Sequence, residues 1–85
     1  MLGKLTARGA MSAKPGRYGD GGGLWLVVSK TGARKWVFRF AFERRVTEMG
    51  LGSAAVSLAE ARLLAADARK LLAADLNPIQ ARAEA

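Results

Sequence analysis

The stretch LWLVVSKTGARKWVFRFAF, residues 24–42, decides the fold. Apolar and polar residues alternate with a period of two in its second half. Trp36, Phe38, Phe40 and Phe42 share one side, and Val37, Arg39 and Ala41 the other. That alternation predicts a strand over residues 34–42. Residues 24–30 read as a strand too, with Leu24, Leu26 and Val28 on one face and Trp25, Val27 and Ser29 on the other. The apolar positions are even-numbered on both strands, so the connecting loop must hold an odd number of residues. A three-residue loop, Lys30-Thr31-Gly32, satisfies this, with Gly32 in the left-handed position that such loops require. The opposed pairs are then Leu26 with Trp36 and Leu24 with Phe38 on the core side, and Trp25 with Val37 on the outer side.

A third strand fits residues 46–51, with Thr47, Met49 and Leu51 facing the core. The link through Glu43-Arg44-Arg45 has no glycine, which disfavours a tight two-residue turn and predicts a slightly longer, basic tip. Gly50 and Gly52 mark the exit. Ser57-Leu58-Ala59-Glu60 is a capping box, in which the serine hydroxyl and the glutamate carboxylate satisfy each other's backbone N–H. It opens a helix reaching about Asp75. Leu58, Ala61, Leu64, Ala65, Ala68, Leu71 and Leu72 form its apolar stripe. Asn77-Pro78 ends it, because proline disfavours helical geometry in the residue before it.

The expected architecture is α+β: a three-stranded antiparallel sheet packed on one long C-terminal helix, in the order β-β-β-α, over residues 24–76. Residues 1–23 read as a flexible basic lead-in, with Pro15 and the glycines around Asp20 marking turns and a weak helical turn allowed over residues 5–13. Residues 77–85 read as the start of a linker to domains absent from this chain.

The 85 residues suit one small domain. Cysteine and histidine are both absent, which removes disulfides, Cys-based metal sites and the commonest general base. No apolar run approaches the roughly 20 residues of a membrane span, and no secretory signal opens the chain. These features point to a soluble, cytoplasmic protein with neither a cofactor nor a small-molecule substrate. The glycines at 19–23 precede a strand, whereas phosphate-binding glycines follow one and open a helix. The serines lack a histidine partner, and the acids are scattered. The chain by itself does not read as an enzyme.

Charge is the informative feature. Fourteen Lys and Arg stand against seven Asp and Glu, a net of +7. Residues 1–50 hold ten bases and three acids, and residues 51–85 four of each, so the whole excess lies in the first fifty. A polyanion is the natural partner. If the even face packs on the helix, the outer face presents Trp25, Val27, Ser29, Lys35, Val37 and Arg39, flanked by Lys30, Arg34, Arg44 and Arg45 from the loops. Trp25, Val27 and Val37 are costly to leave in water without a purpose, and the major groove is wide enough to admit strands. Lys35 and Arg39 are therefore candidate base contacts. Lys30, Arg34, Arg44 and Arg45 are candidate phosphate contacts, and Lys14, Arg17 and Tyr18 reach along the duplex from the lead-in. Glu48 shares the outer face and counts against a continuous anion footprint unless it pairs with Arg39. Two rival readings are double-stranded RNA binding, which wants a well-formed helix before the sheet, and a protein-interaction module.

Several segments also resemble a known family: Lys14-Pro15-Gly16-Arg17-Tyr18-Gly19-Asp20 through Gly23-Leu24-Trp25-Leu26-Val27-Val28, then residues 32–40, Met49-Gly50-Leu51-Gly52, Ser57-Leu58-Ala59-Glu60-Ala61-Arg62 and Asn77-Pro78. In order and spacing they are similar to the N-terminal domain of phage-type integrases of the tyrosine recombinase class. The resemblance covers about residues 4–80. It implies an arm-type DNA-binding domain that engages accessory sites of prophage or phage recombination and tethers a catalytic domain there, in contact with other integrase domains or protomers. The family generally carries an aromatic at Trp25, most often Tyr, and often Gly where this chain has Glu43-Arg44-Arg45. The resemblance places the catalytic Arg, His and Tyr in a separate C-terminal domain, so Tyr18 is not the recombinase nucleophile.

Overall fold

Leu24, Leu26, Val28, Trp36, Phe38 and Phe40 are all buried, and they line one face of an antiparallel sheet as their alternation requires. The computed structural model describes residues 3–84. The chain runs α1 (Ala7–Ser12), β1 (Gly16–Gly21), β2 (Leu24–Val28), β3 (Arg34–Phe42), β4 (Arg45–Ser53), α2 (Leu58–Ala73) and α3 (Pro78–Glu84). Its sheet has four strands in the order β1-β2-β3-β4. The pairs Leu24 with Phe38, Trp25 with Val37 and Leu26 with Trp36 form as expected. Backbone bonds from Ser29 N–H to the Ala33 carbonyl (2.9 Å) and from Gly32 N–H to the Ser29 carbonyl (3.0 Å) close the loop around Lys30-Thr31-Gly32. Gly32 has φ +86°, the left-handed value that this loop asks for.

Four features correct the expectation. First, the sheet has a fourth strand, because β1 occupies part of the expected flexible lead-in. Glycine at 16, 19 and 21 hides its alternation: Arg17 and Gly19 face outward, while Tyr18 and the buried Asp20 face the core side. Glycine is intrinsically poor in strands, and here the pairing with β2 supplies the order. Gly19 also has a positive reason to be glycine. It lies opposite Trp25, and a Cβ there would sit 3.3 Å from the indole ring, tighter than ordinary packing. Residues 3–15 of the lead-in are ordered by α1 and by backbone bonds to Asp20, and Met1 and Leu2 lie outside the described residues. Thr6 caps α1, accepting from Gly9 N–H at 3.0 Å.

Second, the β3–β4 connection is the tight turn that the lack of glycine argued against. Phe42 pairs with Arg45, leaving Glu43 and Arg44 as a two-residue turn with φ of 51° and 67°. Both residues hold left-handed backbone, which costs a non-glycine residue about 1–2 kcal/mol. Two nine-residue strands in near-continuous register offset that cost, and such a turn matches their right-handed twist.

Third, α2 faces the sheet mainly through its small residues. Ala61, Ala65 and Ala68 are buried with Leu58, whereas Leu64 is 41% exposed. The sheet contributes Trp36, Phe38 and Phe40, so large side chains from one layer meet methyl groups from the other. The capping box forms in full, and the Trp36 Nε1–H donates to the Val56 carbonyl at 2.8 Å, tying the segment before the helix to the sheet.

Fourth, α2 is not the only C-terminal helix. It stops at Ala73, and its end is closed by Asp75 N–H to the Leu72 carbonyl and Leu76 N–H to the Leu71 carbonyl, both 2.9 Å, with Asp75 at φ 62°. This is a Schellman closure with aspartate where glycine is usual. Pro78 then opens α3 instead of merely terminating α2: Asn77 Oδ1 accepts from Ile79 N–H, and Pro78 sits where its missing N–H is harmless. The Arg82 guanidinium donates to the Gly50 carbonyl of β4, so the expected linker start folds back on the domain.

Candidate nucleic-acid interface

With α2 packed through Leu58, Ala61, Ala65 and Ala68 on the face that carries the aromatic layer, the sheet keeps its other broad face free of helices. Its rows read Arg17 and Gly19 on β1, Trp25 and Val27 on β2, Lys35, Val37, Arg39 and Ala41 on β3, and Val46, Glu48 and Gly50 on β4. Lys35 and Arg39 are exposed on either side of Val37 along the central strand. Val37 itself is buried, 4% exposed, because Trp25 lies opposite it on one side and neighbours fill around it. It therefore supports this face from beneath and does not offer a free apolar surface. Trp25 and Val27 are half-buried.

Arg17 crosses this surface. Its guanidinium carbon stands 5.6 Å from the centre of the Trp25 ring, within cation–π range. The same guanidinium forms an ion pair with Glu48 on β4. Glu48 is the cross-strand neighbour of Arg39 in backbone register, yet the ion pair it makes is with Arg17. The sequence offered no means of pairing these two residues, since their strands lie at opposite edges of the sheet.

Beyond the core the β3–β4 hairpin projects as a tip. Residues 43–48 are all exposed, including Arg44 and Arg45. Lys30 and Lys14 are exposed at other loops. Two candidate residues lie elsewhere. Arg34 is half-buried beside α1, and its guanidinium donates to the carbonyls of Ala10 (3.0 Å), Ala13 (2.9 Å) and Gly32 (3.0 Å). Tyr18 is on the core side of β1, and its hydroxyl donates to the Lys14 carbonyl at 2.5 Å. Neither joins the outer-face cluster. The structure thus brings together Arg17, Trp25, Lys35 and Arg39 over Val37, with Arg44 and Arg45 at the tip.

The arginines after residue 50 serve the fold. Arg62 bonds Asp20 and the Leu5 carbonyl, Arg69 the Gly22 carbonyl, and Arg82 the Gly50 carbonyl. The Arg62 guanidinium holds the Asp20 carboxyl below its ordinary value of 3.8, against the upward push of burial and with help from the Leu5 and Gly3 N–H groups. The fold thus separates Arg62, Arg69 and Arg82, which bond carbonyls or Asp20, from Lys35, Arg39, Arg44 and Arg45, which stay exposed on the outer face and tip. Among the described residues no group of three or more acids, cysteines or histidines is arranged to hold a metal ion. No helix among them is long and apolar enough to cross a membrane.

Comparison with known proteins gives this geometry its family. The arm DNA-binding domain model matches residues 4–85, nearly the whole chain. The chain belongs to the arm DNA-binding domain family. A prophage integrase, IntA of Escherichia coli K12, is 39% identical over 62 residues, covering 69% of this chain and 15% of that protein. The integrase of enterobacteria phage P4 is 35% identical over 96% of this chain and 20% of its own length. This arm DNA-binding domain therefore spans a fifth or less of the relatives it matches. The match includes the lead-in, so β1 and its Arg17 belong to the domain and are not an appendage.

Proposed function

We propose that this arm DNA-binding domain recognises duplex DNA sequence-specifically at accessory, arm-type sites, as the N-terminal module of a phage or genomic-island integrase. The parent protein is a tyrosine recombinase acting in the prokaryotic cytoplasm at the nucleoid, and this chain supplies binding, with the chemistry carried by the remainder of the integrase. The observation that carries the reading is the helix-free sheet face, with Lys35 and Arg39 exposed on its central strand and Arg44 and Arg45 on the projecting tip. In the major groove Lys35 and Arg39 face base edges, where arginine takes guanine bidentately. Arg44, Arg45, Lys30 and Lys14 meet phosphates, which set register without reading sequence.

The test is an amide-shift NMR titration with a duplex from the attachment-site arms of the element, beside a scrambled duplex, at low and moderate salt. Shifts centred on residues 25–28, 35–39 and 44–45, larger with the arm duplex, support the reading. Shifts confined to Leu58–Ala73, or none, refute it.

A second reading has one observation in its favour. Leu63, Leu64 and Leu76 are 67%, 41% and 50% exposed on the opposite side of the domain. That apolar set suits docking onto another integrase domain or protomer. Such docking is insensitive to salt, whereas DNA binding by several bases weakens steeply with it.

A further inference from the structure

Glu48 is the one acid among the strand residues of the outer face, and it stands where DNA would approach. An exposed acid there repels phosphate and weakens binding to any duplex. It is also engaged: its carboxylate pairs with Arg17, whose guanidinium lies across Trp25. The Arg17 and Glu48 side chains keep 44% and 37% of their exposure, so the pair lies open to solvent and to a ligand. While the pair holds, Arg17 is laid along the surface and withheld from phosphates.

We propose that Glu48 is a specificity-determining residue, exchanging Arg17 for the exocyclic amino group of a cytosine when the correct site is bound. The inference rests on the reading of this face as the groove-entering surface. Its chemistry follows from what the groove displays. A carboxylate only accepts hydrogen bonds, and the major-groove donor with which acidic side chains characteristically pair is the cytosine N4 amino group. On a duplex that sets no amino donor against Glu48 there are two outcomes, both unfavourable. If the pair stays closed, Arg17 makes no phosphate contact. If it opens, Glu48 is left unpaired beside the polyanion. A cytosine satisfies Glu48 and frees Arg17 for the backbone in one step. The device lowers binding to DNA in general and restores it at one class of site, so it contributes discrimination more than affinity.

The experiment is a selection from a pool of randomised duplexes by the full chain and by Glu48→Gln, followed by titration of each protein with the duplex that the unaltered chain selects and with a scrambled one. Amide spectra establish that both proteins are folded, as expected for a swap of near-identical shape at an exposed position. The unaltered chain should enrich a motif with a C·G pair at one position, and Glu48→Gln should lose the preference there alone. An exposed ion pair is weak, so Glu48→Gln should bind the scrambled duplex about two- to fivefold more tightly. Its binding to the selected duplex should not gain. In an Arg17→Gln background that gain should shrink, because there is no longer a pair to open. Enrichment of the same motif by both proteins, or an equal gain on both duplexes, overturns the role of Glu48 while leaving DNA recognition standing. A chain that enriches no motif at all overturns the arm-site reading and this proposal together.

Discussion

Arg62 Nε lies 2.9 Å from Asp20 Oδ2, joining the first turns of α2 to the end of β1. The Asp20 side chain is 3% exposed, and its other oxygen accepts from Leu5 N–H at 2.7 Å and from Arg62 Nη2 at 2.9 Å. One carboxylate thus fastens the N-terminal segment, the edge strand and the main helix. Its lowered pKa makes it a source of pH-dependent stability. A depressed carboxylate stabilises the fold above its unfolded value, near 3.8, and the contribution is lost as pH falls through the folded value. Asp20→Asn should therefore cost about 2 kcal/mol at neutral pH, with the Arg62 side chain 40% exposed and partly screened. Urea unfolding at pH 7 and pH 3 checks this: the difference between variant and parent should narrow at the lower pH.

The Glu43-Arg44 turn predicts a stabilising change. Replacing it with Asn-Gly places residues that tolerate positive φ where φ is 51° and 67°. The double substitution should raise stability by about 1 kcal/mol in thermal unfolding. It removes the Glu43 and Arg44 charges together and leaves the net charge unchanged, so the expected fall in DNA affinity of the same protein reports the loss of the Arg44 contact itself. That opposite movement identifies a turn in which backbone comfort has been given up for a basic side chain.

Arg39 and the tip arginines should differ in kind. Arg39→Ala should cost about 1–3 kcal/mol on the selected duplex and less on a scrambled one if it reads a base. Arg44→Ala and Arg45→Ala should weaken both duplexes alike and reduce the salt slope by about 1 each. Fluorescence anisotropy across a salt series separates the two patterns, and equal losses for Arg39→Ala on both duplexes would move it to the phosphate class.

Ala65 is 0% exposed in a core where aromatic side chains come from the sheet. Ala65→Leu improves the apparent hydrophobicity of the α2 stripe yet should destabilise by about 1–3 kcal/mol through overpacking. Leu64→Ala, at a position 41% exposed, should change stability by less. Thermal melts of the two variants test whether the small residues set the distance between helix and sheet.

Backbone room sets a further requirement at Gly23. Its φ is +91°, and a Cβ there would stand 2.5 Å from the Arg39 carbonyl oxygen and 2.8 Å from the Phe38 ring. Gly23 accepts the Arg39 N–H at 2.7 Å, so the β1–β2 turn is bonded to β3. Gly23→Ala should cost about 2 kcal/mol or more, read by urea unfolding.

Alternation in residues 24–42 and the Ser57–Glu60 capping box determined β2, β3, their register and the start of α2, because these are local periodicities of the chain itself. The loop at Gly32 was legible for the same reason. The excess of base in the first fifty residues, with the spacing of the family motifs, was enough to indicate a nucleic-acid partner. Only the tertiary structure decided the rest. β1 carries too little side-chain pattern to announce itself, and it exists because β2 offers an edge to pair with. The tight turn at Glu43-Arg44 overrides local preference because two long strands hold it. Alanines rather than leucines meet the sheet because the aromatic layer opposite needs the room. From the sequence Arg34 at the hairpin loop and Tyr18 and Arg17 in the lead-in are all candidate DNA contacts. The fold assigns the first to a helix end, the second to the core side and the third to an ion pair across the sheet. Such assignments depend on which distant carbonyl or carboxylate comes within hydrogen-bonding reach, and that is fixed when the layers pack.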